Sequence, residues 1–115
     1  MKLKINDKIY SVQEESSALV NGILKSVPIR LTLSRSGDHE YYGTLPAKDE
    51  TAGFRQTSHV EDGGVYYFKA WNAFSLNFRG MDISPYQVHV IGKAEESLVS
   101  VLEHAGKSIE AEITE

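Results

Sequence analysis

Val65-Tyr-Tyr-Phe-Lys-Ala-Trp-Asn-Ala-Phe-Ser-Leu-Asn-Phe-Arg79 is the stretch on which the fold turns. It reads as an aromatic-rich strand over Val65 to Lys69, a connection at Ala70-Trp71-Asn72 and a partner strand over Ala73 to Arg79. Asp62-Gly63-Gly64 is a strong turn signal at its entrance. Six of the chain's eleven aromatic residues lie between Tyr66 and Phe78. Alternation along a strand sends about half of such side chains inward. Phe74 and Phe78 share a face by their even spacing and read as core. Trp71, in the connection, reads as exposed and suited to binding, because an aromatic offers a large contact area at low entropic cost.

Beyond Arg79, Gly80 to Pro85 reads as loop and Tyr86 to Ile91 as a strand with Val88 and Val90 on one face. His89 then faces the other way, outward if the valines are core, and Gly92-Lys93 breaks the strand. Leu98, Val101 and Leu102 mark a short helix with Gly106 as its C-terminal cap. Ile109, Ala111 and Ile113 alternate through a closing strand, Ser108 to Thr114. Before Val65, Lys2 to Val12 reads as a hairpin turning at Asn6-Asp7, a polar pair that tolerates positive φ. Ser16-Ser17 offers a cap for a helix of about three turns carrying Leu19, Val20, Ile23, Leu24 and Val27, which Pro28 stops. Ile29 to Leu33 and His39 to Leu45 form a second hairpin about Ser36-Gly37-Asp38. Ala47 to Glu61 shows neither periodicity, and a connection of about fifteen residues is long enough to mark a functional or mobile loop. The sum is eight short strands and two helices. Pattern alone allows a closed barrel, which removes exposed edges, or a split sandwich.

The bulk properties narrow the function. At 115 residues and 41% hydrophobic, the chain fits one domain and needs no metal or disulfide for stability. Twelve basic residues against sixteen acidic ones give a net charge of −4, with no clustered basic face, so nucleic-acid binding is not expected. The absence of cysteine removes disulfides, thiolate nucleophiles and thiolate-bound metal. No stretch approaches the roughly 20 apolar residues of a membrane span, and Met1-Lys-Leu-Lys-Ile-Asn-Asp lacks a signal-peptide core, so a soluble, cytoplasmic protein is the expectation. His39, His59, His89 and His104 are scattered, with none at metal-binding helical spacing. There is no Gly-x-Ser-x-Gly elbow, no phosphate-binding glycine loop and no placed pair of carboxylates, and no cofactor is expected.

Val65-Tyr-Tyr-Phe, Ala73-Phe-Ser-Leu-Asn-Phe-Arg-Gly and Ser84-Pro-Tyr-Gln-Val-His-Val-Ile-Gly-Lys together resemble the small bacterial and archaeal cyclophilin-like proteins. Ile29-Arg-Leu-Thr-Leu and Glu40-Tyr-Tyr-Gly-Thr-Leu-Pro look like barrel strands of the same family. Val90-Ile-Gly-Lys before an apolar helix is similar to the last strand of true cyclophilins. The resemblance spans nearly the whole chain. It implies an all-β, closed eight-stranded barrel capped by two short helices. Classical cyclophilins isomerise prolyl bonds in an apolar pocket on the barrel's outside, where an arginine weakens the amide double-bond character; the barrier is roughly 18–20 kcal/mol. Their Phe-His-Arg stretch has no counterpart between two strands here, and the nearest is Phe54-Arg55-Gln56 in the long loop. Their Gln-Phe-Phe becomes Leu76-Asn77-Phe78, matching Phe78 alone. The chain is also shorter than a classical cyclophilin.

Arg55 has a planar fork that suits a carbonyl or carboxylate, although its plainer reading is a solvated loop arginine. The expectation is a binding domain for a peptide or small apolar ligand, without efficient catalysis. Its groove draws on Phe54, Arg55, Gln56, Tyr67, Trp71, Asn77 and Phe78. The alternative is a prolyl isomerase with Arg55 catalytic and Phe78 in the proline pocket, and a further one is a self-assembly module.

Overall fold

The hairpin at Asn6-Asp7 starts the barrel. Both residues adopt positive φ, 53° and 64°, the geometry of a tight turn that matches strand twist. It joins β1 (Lys2–Ile5) to β2 (Lys8–Glu14). The computed structural model describes residues 1–15, 18–48 and 55–115. The chain continues through α1 (Ala18–Leu24), β3 (Ile29–Ser36), β4 (Glu40–Thr44), β5 (Gln56–Thr57), β6 (His59–Val60) and β7 (Gly64–Phe68). A single 3₁₀ turn, Lys69–Trp71, leads to β8 (Ala73–Asn77), followed by β9 (Met81–Asp82), β10 (Val88–Ala94), α2 (Glu96–Glu103) and β11 (Ser108–Thr114).

Eight strands lie in the order β2-β1-β11-β3-β4-β8-β7-β10, and β10 pairs back onto β2 to close the barrel. Every one of these pairings is antiparallel. Since β2 and β10 run oppositely, α1, which leaves the end of β2, and α2, which leaves the end of β10, sit at opposite ends of the barrel. Leu19, Val20 and Ile23 of α1 and Leu98 and Leu102 of α2 join the same buried core as Leu3, Leu33, Tyr41, Phe74 and Ile91. Burying each of these large apolar side chains contributes roughly 1.5–3 kcal/mol.

Three parts of the sequence reading are corrected. The segments read as loop carry β5, which pairs with β10, and the two-stranded ribbon of β6 and β9. Such two-residue strands are too short for alternation to register. The first helix is about two turns rather than three, and its expected Ser16-Ser17 cap lies outside the described residues. Gly92-Lys93 does not end the late strand either. That strand begins at Val88 and runs on to Ala94, with a register irregularity against β7 between Val90 and Gly92.

Gly92 is the reason β10 continues. It lies opposite Glu14 of β2, and a Cβ there would sit 2.2 Å from the Gln13 carbonyl oxygen and 2.9 Å from Glu14 Cα. No side chain fits, so β10, with β7 on one edge, can pass from β5 to β2 along its other edge only at a glycine. Gly106 offers the contrast: it has φ +83° and nothing within 4 Å of a would-be Cβ. Gly92→Ala is expected to lower stability by about 3 kcal/mol or more through overpacking, against about 1 kcal/mol for the strained but uncrowded Gly106→Ala. Thermal unfolding followed by circular dichroism compares the two, and equal losses would refute this account of closure.

Candidate functional site

The register of β4 against β8 builds the site. Glu40 lies opposite Asn77, Tyr42 opposite Ser75 and Thr44 opposite Ala73. Tyr41, Phe74 and Leu76 point into the core, so Glu40, Tyr42, Ala73, Ser75 and Asn77 stand on the outside of the barrel. Outside does not mean exposed here. Ser75 and Asn77 retain only 5% and 1% of their accessible surface. They share a cavity of about 280 Å³ with Val60, Ile83, Tyr86 and Val88, which come from the ribbon, the turn after it and β10.

Backbone bonds hold that cover in place. Ile83 N–H donates to the Ser58 carbonyl at 2.7 Å, extending the ribbon, and Tyr86 N–H donates to the Ile83 carbonyl at 2.9 Å. The turn ahead of β7 is tied down from two sides. Gly63 N–H donates to the Asn77 carbonyl at 2.7 Å, and the Gly63 carbonyl accepts from Ala94 N–H at 2.8 Å. Val60, Tyr66, Val88 and Val90 form a second apolar cluster outside the barrel, with Phe68 and Ile83 packed against it.

One end of the cavity is aromatic. Phe68 meets Trp71 edge-on at 5.2 Å between ring centroids and Tyr86 edge-on at 6.2 Å, and Tyr42 lies 6.1 Å from Trp71. Trp71 and Tyr86 are each 64% exposed and form the rim. The position of Trp71 follows from Asn72, whose φ of 50° ends the 3₁₀ turn in the left-handed region. The Asn72 side-chain amide donates to the Leu45 and Ala47 carbonyls at 3.1 and 3.2 Å and accepts from the Tyr67 hydroxyl at 2.7 Å.

The other end is polar. Ala73 and Asn77 are four residues apart on one strand, so the two ends are separated by roughly 13 Å. Here His39 Nε2 approaches Glu40 Oε1 to 3.6 Å, and the His39 carbonyl accepts from Phe78 N–H at 2.8 Å. Burial pushes the Glu40 carboxyl above its ordinary range, and the neighbouring His39 opposes that shift. Both polar atoms of the Asn77 side chain are buried without a hydrogen-bond partner among the described residues.

Of the residues expected from sequence to form a groove, the structure brings Trp71 and Asn77 together. Tyr67 and Phe78 are 1% exposed and lie in the barrel core, on the inward side of their sheet. Arg55 is not among the residues lining the cavity, and pairs with Glu15 through Nε at 3.2 Å and Nη2 at 2.6 Å. Gln56 is exposed and stands opposite His89 in the β5–β10 pair, and Phe54 lies outside the described residues. His89 does not face outward. Val88 and Val90 pack in the outer cluster, so the opposite face is the inner one, where the His89 ring lies 6.2 Å from that of Tyr67. The residues missed from sequence are His39, Glu40, Tyr42, Phe68, Ser75 and Tyr86. The alternation Glu40-x-Tyr42 and Ser75-x-Asn77 was the available signal, and it ordinarily marks a solvated face.

Two substitutions check this description. Asn77→Leu removes an unpaired buried amide at similar volume and is expected to raise stability by about 1–3 kcal/mol. A lower melting temperature would show that the amide is paired in solution. The raised carboxyl of Glu40 favours the protonated form in the folded state. Its contribution is therefore present at acid pH and lost as pH rises through the folded-state value. Glu40→Gln should melt above the wild type at pH 7, with the gap closing as pH falls below the usual glutamate range. A pH-independent gap would contradict that burial effect.

Among the described residues, no helix is long and apolar enough to cross a membrane, and no group of ligating side chains is placed to hold a metal ion. The solution structure of a hypothetical protein from Archaeoglobus fulgidus has the same fold, with a TM-score of 0.75 and 24% identity. That match covers 98% of this chain and 91% of the archaeal one. No curated protein sequence matches the chain. The model of the Cyclophilin-like family matches residues 3–114, nearly the full length of the barrel described above. On that match, the chain belongs to the Cyclophilin-like family.

Proposed function

We propose that this domain is a binding module that takes a small ligand into the cavity between β4, β8 and the β6–β9 ribbon, without efficient catalysis. One observation carries the reading: the outward face of a barrel strand is roofed over, so Ser75 and Asn77 are buried while a space of about 280 Å³ beside them stays open. A space of that size suits a single-ring molecule better than an extended peptide. The mixture is also that of a ligand pocket, mostly apolar and aromatic walls with a few convergent polar groups. Trp71 and Tyr86 offer rings at the rim without having to leave the core.

The placement of Arg55 supports binding over prolyl isomerisation. Its guanidinium is engaged by the Glu15 carboxylate rather than turned to the cavity. In this site, substrate would meet Glu40, Asn77 and Ser75 instead of a cation.

Titration of ¹⁵N-labelled protein with toluene is expected to move the amide resonances of Ala73, Ser75 and Asn77 and the Trp71 indole N–H. Lys4 and Ile113, on the other side of the barrel, should stay in place. Shifts that spare β8 would overturn the assignment. Exchange of an Ala-Pro peptide should run at its background rate, with wild type and Arg55→Ala alike. Acceleration that disappears in the variant would make the protein an isomerase with its site at Arg55.

A further inference from the structure

Resting on the cavity reading above, the polar end of the same site defines a head group. Asn77 projects a side-chain amide from β8 into the cavity, with only 1% of the residue accessible. Neither its Nδ2 nor its Oδ1 has a hydrogen-bond partner among the described residues. Leaving such a group buried and unpaired costs roughly 1–3 kcal/mol, and orphaned side chains of this kind call for an explanation. Directly across the β4–β8 pair stands Glu40, whose carboxylate only accepts hydrogen bonds once ionised. The cavity thus presents one donor pair and one acceptor from Asn77 and a further acceptor from Glu40, beside the Ser75 hydroxyl and the His39 imidazole. Among the described residues, no Lys or Arg lines it.

We infer that the cavity binds a small neutral primary carboxamide carried on an aromatic or apolar ring. Its carbonyl accepts from Asn77 Nδ2, one amide hydrogen goes to Asn77 Oδ1, and the second goes to Glu40. Its one carbonyl and two N–H donors answer an amide and a carboxylate together. A carboxylate ligand supplies no donor and meets the Glu40 charge. An amidinium supplies donors alone and leaves Asn77 Nδ2 unpaired. The ring lies toward Phe68 and Trp71, where stacked and edge-on contacts are available.

The test compares benzamide, benzoate, benzamidine and toluene by NMR titration. Benzamide is expected to bind at least tenfold tighter than each of the other three. Asn77→Leu should still bind toluene while losing the tenfold preference for benzamide, and Glu40→Gln should weaken benzamide severalfold with toluene unchanged. If toluene shifts the cavity resonances and benzamide binds no more tightly, the head-group assignment fails and the cavity reading stands. Tighter binding of benzoate or benzamidine overturns the assignment in the same way. If none of the four moves those resonances, both the assignment and the cavity reading fail.

Discussion

Pairing of β10 with β2 is the constraint on which the other features depend. Gly92, Lys93 and Ala94 meet Glu14, Gln13 and Val12, and that short ladder turns an open sheet into a barrel. Without it, β2 and β10 would each present a free edge of unpaired backbone groups, the usual template for aggregation. The closure works because one residue carries no side chain where the strands approach most closely. Closure in turn fixes an interior that α1 and α2 fill from opposite ends. It also leaves β7 on the far edge of β10 and β5 ahead of β2 on the near one, so the strand that seals the barrel supports the loop segment beside it.

Much of the barrel was legible in the sequence because alternation reports burial on one face. Leu3 and Ile5, Leu31 and Leu33, and Ile109, Ala111 and Ile113 are spaced two apart, and all are buried. The tight turn at Asn6-Asp7 and the left-handed Asn72 belong to residue types that tolerate positive φ, and they sit where the chain reverses. Gly92 was misread because a glycine in a strand has two meanings, a break or a close approach of another backbone. Only the partner strand distinguishes them, and that partner lies about eighty residues earlier in the chain.

The site was less legible for a related reason. Polar residues at alternate strand positions ordinarily face water, and Glu40, Ser75 and Asn77 follow that pattern. Their burial comes from a second layer, Val60 and Ile83 with the turn to Tyr86, which lies in segments with no periodicity of their own. A pattern rule sees one layer at a time. Aromatic clustering and the resemblance to cyclophilins placed Trp71 and Asn77 in a groove, and they also selected Tyr67 and Phe78, which the strand pleat turns inward. Arg55 drew attention as the nearest counterpart to the Phe-His-Arg stretch of cyclophilins, yet its geometry is decided by Glu15, forty positions away in sequence.

Asn72 has a consequence beyond local turn geometry. Its side chain bridges Leu45, Ala47 and Tyr67, so the short turn bearing Trp71 is braced by the protein's own hydrogen bonds. A turn held in this way gives the indole a fixed root, and the entropy of arranging that stretch of backbone is met during folding. Immobilising a side chain on binding costs roughly 0.5–1.5 kcal/mol, so with the backbone already placed only that smaller cost is left to a ligand. Such a mouth selects by shape: molecules that fit beside the turn lose little on entry, and those that would displace it meet the resistance of the folded chain.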